Sequence, residues 1–117
     1  MVSVGDRKQI ANDLKDEGNS LMAKGQYTKA LKMYTRAIDE DDTNAVLYTN
    51  RSAAFFSTKQ YKESLEDAEK ALSIDNTWWK AYKRKGMSLC HLRKFEDAVK
   101  AFEAGLAKNP GNEELLK

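Results

Sequence analysis

A period of 34 residues is the strongest constraint on how this chain can fold. Tyr27, Tyr61 and Phe95 keep that interval, as do Ala30, Ser64 and Ala98, then Leu31, Leu65 and Val99. Ala37, Ala71 and Gly105 follow, and Ile38, Leu72 and Leu106. Upstream it links Leu14, Tyr48 and Tyr82, then Gly18, Ser52 and Gly86, then Leu21, Phe55 and Leu89. Large and small residues recurring in fixed order mean that one supersecondary unit is built three times. The units fall at 11–44, 45–78 and 79–112, after an N-terminal extension at 1–10.

Each unit reads as two helices. In the first, Leu14 and Leu21, or Tyr82 and Leu89, lie seven apart on one face around a small residue. In the second, Tyr27, Ala30, Leu31, Tyr34, Ala37 and Ile38 step by three and four, which makes one apolar stripe. Lys24-Gly25-Gln26 separates them, and Gly25 suits the left-handed residue that closes a helix. Lys59 and Arg93 hold that place later, where a side chain makes left-handed backbone cost about 1 kcal/mol. Asp42-Thr43-Asn44 and Asp75-Asn76-Thr77 offer N-caps for the next helix, and Pro110 stops the last one. Gly18, Ser52 and Gly86 are expected to face Ala30, Ser64 and Ala98, so that paired backbones approach closely. One pair cannot bury its own stripe, but three stacked pairs can. The expected fold is therefore all-α: six helices in a right-handed superhelix with a concave surface. Residues 113–117 read as the start of a closing helix cut short, which leaves apolar surface near Phe102, Leu106 and Leu115.

These residues resemble the tetratricopeptide repeat, whose 34-residue pattern is matched over residues 11–112. Glu17, Arg51 and Lys85 depart from it where leucine is common, and Asp42 and Asn76 where proline is common. An arginine packed at position 51 calls for an acidic neighbour, with Glu17 as the candidate.

The first helices of such a stack line its concave side. In repeat one the inward face carries Lys15, Asn19, Met22 and Ala23; Asp16 turns off it. Repeat two contributes Val46, Thr49, Asn50, Ala53, Phe56 and Ser57. Repeat three contributes Lys80, Lys83, Arg84, Met87, Cys90 and His91. Lys15 and Asn19 stack four apart, as do Lys80 and Arg84, with Asn50 on the helix between them. Neighbouring helices sit roughly 8–10 Å apart, so two cationic groups flank a space about one residue wide into which two amides point. A C-terminal aspartate, with its side-chain and α-carboxylates, would satisfy that space. Arginine grips a carboxylate as a fork, lysine adds a point charge, and asparagine donates without adding charge. Met22, Ala53, Phe56, Lys83, Met87 and Cys90 would line the accessory groove.

Lys15, Asn19, Asn50, Lys80 and Arg84 also resemble, one for one, the dicarboxylate clamp of co-chaperone tetratricopeptide domains. The strings Leu14-Lys15-Asp16-Glu17-Gly18-Asn19, Tyr48-Thr49-Asn50-Arg51-Ser52-Ala53-Ala54 and Tyr82-Lys83-Arg84-Lys85-Gly86 are most similar to the first repeat domain of the Hsp-organizing (stress-inducible) co-chaperone family. The resemblance implies capture of the Glu-Glu-Val-Asp tail of heat-shock chaperones, the 70-kDa class favoured over the 90-kDa class.

Composition narrows the alternatives. A net charge of +2 provides no global field for nucleic acid or membrane. A base-per-repeat RNA reader lacks a consistent polar code here. One cysteine, Cys90, supports no internal disulfide and fits a cytoplasmic setting. Cys90 beside the lone His91 makes neither a metal site nor a catalytic pair, so no cofactor and no enzymatic activity are expected. Trp78 and Trp79 are expected at the junction of repeats two and three, one packed and one half exposed. A monomer is expected, with self-association at the open C-terminal edge as the variation. The competing function is a general scaffold that binds another protein through its convex face or that edge.

Overall fold

The computed structural model describes residues 3–111. It consists of α1 (Val4–Ala23), α2 (Tyr27–Glu40), α3 (Ala45–Ser57), α4 (Tyr61–Ile74), α5 (Trp79–His91) and α6 (Phe95–Lys108), with no strand among the described residues. Each odd helix packs against the even helix that follows, and the pairs stack along a 47 Å axis. α3 also touches both α1 and α5, whereas no comparable contact joins α2 to α4 or α4 to α6 among the described residues. Helices that crowd together occupy the inner side of a curved stack, so α1, α3 and α5 line the concave face.

The three turns inside the repeats share one geometry. Gly25, Lys59 and Arg93 have φ of 75°, 64° and 65°. In each turn the residue after them donates to a carbonyl five residues back: Gln26 to Leu21 at 2.9 Å, Gln60 to Phe55 at 2.8 Å, Lys94 to Leu89 at 2.8 Å. This is the closure expected around Gly25, and the capping bonds hold Lys59 and Arg93 left-handed despite their side chains.

The first turn between repeats meets expectation and the second departs from it. Asn44 caps α3, accepting from the Val46 amide at 2.9 Å. The residue before α5 is Trp78, which gives no side-chain cap, so Asp75-Asn76-Thr77 does not cap that helix. Instead Asp75 accepts from the Thr77 amide at 2.9 Å and from its hydroxyl at 2.5 Å. Asp41 treats Thr43 the same way, at 3.1 and 2.6 Å. A short polar side chain here satisfies its own loop rather than the next helix.

The Thr43 and Thr77 hydroxyls hold the Asp41 and Asp75 carboxyls below their ordinary value of 3.8. A lowered folded-state value stabilises the fold above the unfolded value, and that stabilisation fades as pH falls through the folded one. The Tm deficit of a Thr43→Val/Thr77→Val variant should thus be largest at neutral pH and shrink as pH drops below 3.8. Thermal melts of both proteins from pH 7 to pH 2 check this, and a deficit independent of pH counts against it.

The core is built from small residues because six helices must cross at short range. Ala30, Ala37, Ala54, Ala68, Ala71 and Ala81 are fully buried. Ser52 faces Ser64 as expected. Each hydroxyl donates to the other's carbonyl, at 2.7 and 2.8 Å, and Ser88 bonds the Ser64 hydroxyl at 2.9 Å. The two glycines meet a different partner. A Cβ on Gly18 would stand 2.5 Å from the Tyr34 ring, and one on Gly86 would stand 2.6 Å from the Phe102 ring. The glycines therefore face the aromatics four residues beyond Ala30 and Ala98. Repeat two has Ala68 at that place, which leaves room for Ser52.

Arg51 does find an acidic neighbour, but it is Asp67 rather than Glu17. Its guanidinium forks onto the Asp67 carboxylate at 2.7 and 2.9 Å, reaches the Thr35 hydroxyl at 3.3 Å, and lies 5.7–5.8 Å from the Phe55 and Tyr48 ring centres. The antiparallel partner in the same repeat outcompetes the exposed Glu17 because it can be desolvated together with the arginine. Residues 113–117 lie outside the described residues. On α6 the most exposed large apolar side chains are Phe95 and Val99, at 57% and 54%; Phe102 packs against the cluster of Leu89, Ala98 and Ala101 instead, and Leu106 is half-buried.

Candidate functional site

The concave face gathers cations around amides. Thr49, Asn50 and Ala53 from α3 and Lys80, Lys83 and Arg84 from α5 line a cavity of about 260 Å³ with no carboxylate in its wall. The spacing explains the gathering. Asn50 and Ala53 lie one turn apart on α3, and Lys80, Lys83 and Arg84 occupy one face of α5.

Asn19 and Asn50 meet directly. The Asn50 Nδ2 donates to Asn19 Oδ1 at 3.1 Å, across the gap between α1 and α3. The Tyr34 hydroxyl donates to the same oxygen at 2.5 Å. Both lone pairs of that oxygen are thereby occupied, and the Asn19 Nδ2 is left to donate elsewhere.

The cations are seated individually. The Lys80 Nζ lies 5.6 Å from the Trp78 ring centre and 5.7 Å from that of Trp79, so the two indoles hold the ammonium by their π faces. Trp78 packs on the core cluster that contains Tyr48 and Ala81, and Trp79 is half-buried. The tryptophans therefore serve the groove as well as the repeat junction, a role that their composition alone does not reveal. The Arg84 Nη1 lies 4.0 Å from the Met87 sulfur. Lys15 stands one turn before Asn19 on α1, its Nζ 3.8 Å from the exposed Asp16 carboxylate. It does not line the cavity between α3 and α5.

The accessory residues divide in two. Ala53 lines the cavity and Met87 touches Arg84. Met22 packs on Ala30, Tyr34 and Ala54, and Cys90 on Leu89, Ala98 and Ala101. Phe56 meets His91 edge-on at 4.8 Å and Tyr61 at 5.3 Å, while His91 stacks on Tyr61 at 4.4 Å and its Nδ1 approaches the Met87 carbonyl at 3.1 Å. Among the described residues no three His, Cys, Asp or Glu side chains group as a metal site, and no helix is long and apolar enough to cross a membrane. The arrangement suits an anionic ligand bound by charge and amide donors.

Comparison with known proteins agrees with this fold. Residues 15–77 and residues 79–112 match the sequence profiles of the Tetratricopeptide repeat. The chain is 36% identical over 112 residues to the Protein STIP1 homolog of Dictyostelium discoideum, covering 96% of this chain but only 20% of that protein. It spans about a fifth or less of the length of the curated relatives first matched. The first TPR of Spaghetti (RPAP3), solved bound to the HSP90 peptide SRMEEVD, superposes with a TM-score of 0.91 at 36% identity, covering 93% of this chain and 89% of that one. The second TPR domain of human RPAP3, solved with the HSP70 peptide SGPTIEEVD, superposes with a TM-score of 0.88 at 32% identity, covering 97% and 92%.

Proposed function

The chain belongs to the tetratricopeptide repeat family, and on that premise we propose that its concave groove captures the acidic C-terminal Glu-Glu-Val-Asp tail of a heat-shock chaperone. The 70-kDa class is the favoured partner and the 90-kDa class the competitor. The observation that carries the reading is the Asn19–Asn50 amide pair beside a cavity walled by Lys80, Lys83 and Arg84. In this reading Lys15, Asn19 and Asn50 meet the ligand's terminal carboxylates from one side, and Lys80 and Arg84 meet them from the other. The chain acts as a non-enzymatic, cytoplasmic adaptor: charge and amide donors hold the end of an extended peptide, and the half-buried Met22, Phe56 and Met87 face its upstream residues.

Arg84→Ala or Lys80→Ala should weaken binding of a labelled Glu-Glu-Val-Asp peptide by roughly 1–3 kcal/mol while leaving the helical content unchanged. Asn50→Ala should weaken it with less change in salt dependence, since an amide brings no charge to be screened. Amidating the peptide's C-terminus should remove most binding. Equal affinity of the amidated peptide would sink the clamp, and titration with the tails of both chaperone classes ranks the partners.

A second reading has its own observation. Phe95 and Val99 stand one turn apart on α6, both more than half exposed, so the C-terminal edge is a candidate scaffold surface. Self-association in sedimentation that acidic peptide does not alter would favour it.

A further inference from the structure

We propose that Tyr34 is a positioning residue of the groove, setting the Asn19 carboxamide through its hydroxyl so that the Asn19 NH2 faces the ligand. The inference rests on the reading of the groove as a carboxylate site. Tyr34 is 1% exposed and cannot itself meet a peptide. Its ring lies against Gly18, in space that any Cβ at that position would take. That approach brings its hydroxyl to within 2.5 Å of the Oδ1 of the next residue, Asn19.

The consequence is orientational. An asparagine carboxamide can flip, which exchanges a donor for an acceptor at the same place. With Tyr34 and Asn50 both donating to Asn19 Oδ1, a flipped amide would set NH2 against the Asn50 NH2 and would leave the Tyr34 hydroxyl to act only as an acceptor, its own proton unbonded. The unflipped state is thereby selected before any ligand arrives. Donation into the carbonyl also polarises the amide and strengthens its N–H groups as donors. Burial pushes the Tyr34 phenol up to about 12, so the hydroxyl keeps its proton throughout the neutral range.

Repeat three supplies an internal control. Phe102 covers Gly86 as Tyr34 covers Gly18, and the following residue there is Met87, which has no amide to orient. The bare ring therefore packs without a hydroxyl, and Tyr34→Phe is expected to fold.

The test combines three measurements on Tyr34→Phe. Thermal melting should show a folded, cooperative domain. In ligand-free protein, the side-chain NH2 resonances of Asn19 should move in a 1H–15N spectrum. Affinity for a Glu-Glu-Val-Asp peptide should fall about three- to ten-fold, the loss of one hydrogen bond's net contribution. In an Asn19→Ala background the same substitution should leave affinity unchanged, which a general structural role for the hydroxyl would not do. Wild-type affinity in Tyr34→Phe, unmoved Asn19 resonances, or an equal loss in the Asn19→Ala background each overturns the proposal. If the wild-type chain binds no such peptide, the carboxylate reading of the groove falls, and the Asn19 resonances still decide whether Tyr34 sets the amide.

Discussion

Replacing Asp67 with alanine should destabilise the domain by about 3 kcal/mol, the low end of the range for breaking a buried ion pair. Asp67 is 6% exposed and the Arg51 side chain 20%. Removing the carboxylate would leave a guanidinium between the Tyr48 and Phe55 rings with only the Thr35 hydroxyl to bond. The intact pair is a different matter. Burial pushes the Asp67 carboxyl above its ordinary value even though Arg51 pulls it down, so desolvation cancels much of what the fork contributes. The partial exposure of Arg51 keeps the loss at the lower end, since its tip can turn towards water. Arg51→Met/Asp67→Leu should accordingly recover most of the stability that Asp67→Ala loses. Denaturant unfolding of the two variants distinguishes the cases, and a double variant as unstable as the single one would show that the pair itself stabilises the fold.

Gly18→Val should cost a similar amount, about 3 kcal/mol, by overpacking. The new Cβ would stand 2.5 and 2.8 Å from two Tyr34 ring carbons. The ring is 1% exposed and packs with Ala30, Ala54 and Leu21, so it has to displace them to move. Helix propensity favours almost any residue over glycine here, by up to about 1 kcal/mol, so a measured loss isolates the clash. The functional effect should exceed the structural one. Displacing the ring drags the hydroxyl from Asn19, so peptide affinity should fall even at a temperature where the variant is fully folded. A variant as stable as wild type would mean that the helices separate without penalty.

Much of this arrangement is legible in the sequence, and its gaps have physical causes. The 34-residue recurrence alone locates the six helices, and Gly25 predicts the left-handed backbone that Lys59 and Arg93 share. Asn50, Lys80 and Arg84 share one cavity, and Asn19 bonds Asn50, because helical spacing fixes which face a residue occupies; Lys15 stays outside that cavity. What spacing does not fix is height along the partner helix. Gly18 could face Ala30 or Tyr34, which lie on one stripe, and only ring bulk decides. Arg51 had an acid available in the neighbouring repeat and another in its own antiparallel pair, and the shared loss of water chose Asp67. The Asn19–Asn50 contact escapes a helix wheel because it depends on the gap between repeats. A clue to Tyr34 was present: it is the only hydroxyl among Tyr34, Ala68 and Phe102, and it sits in the repeat whose glycine precedes an asparagine.

The three repeats are not interchangeable bricks. Repeats one and three close with a glycine under an aromatic ring, whereas repeat two closes with Ser52 bonded to Ser64 and joins its neighbour through Ser64 and Ser88. A chain made by copying repeat one three times would lose the buried hydroxyl junction that ties α3, α4 and α5 together. A chain made by copying repeat two would lose both aromatic plugs and, because Ala53 holds the place of Asn19, the first asparagine as well. Duplication can lengthen such an array, but a copy that changes the glycine must change the aromatic with it, since either change alone leaves a collision or a void.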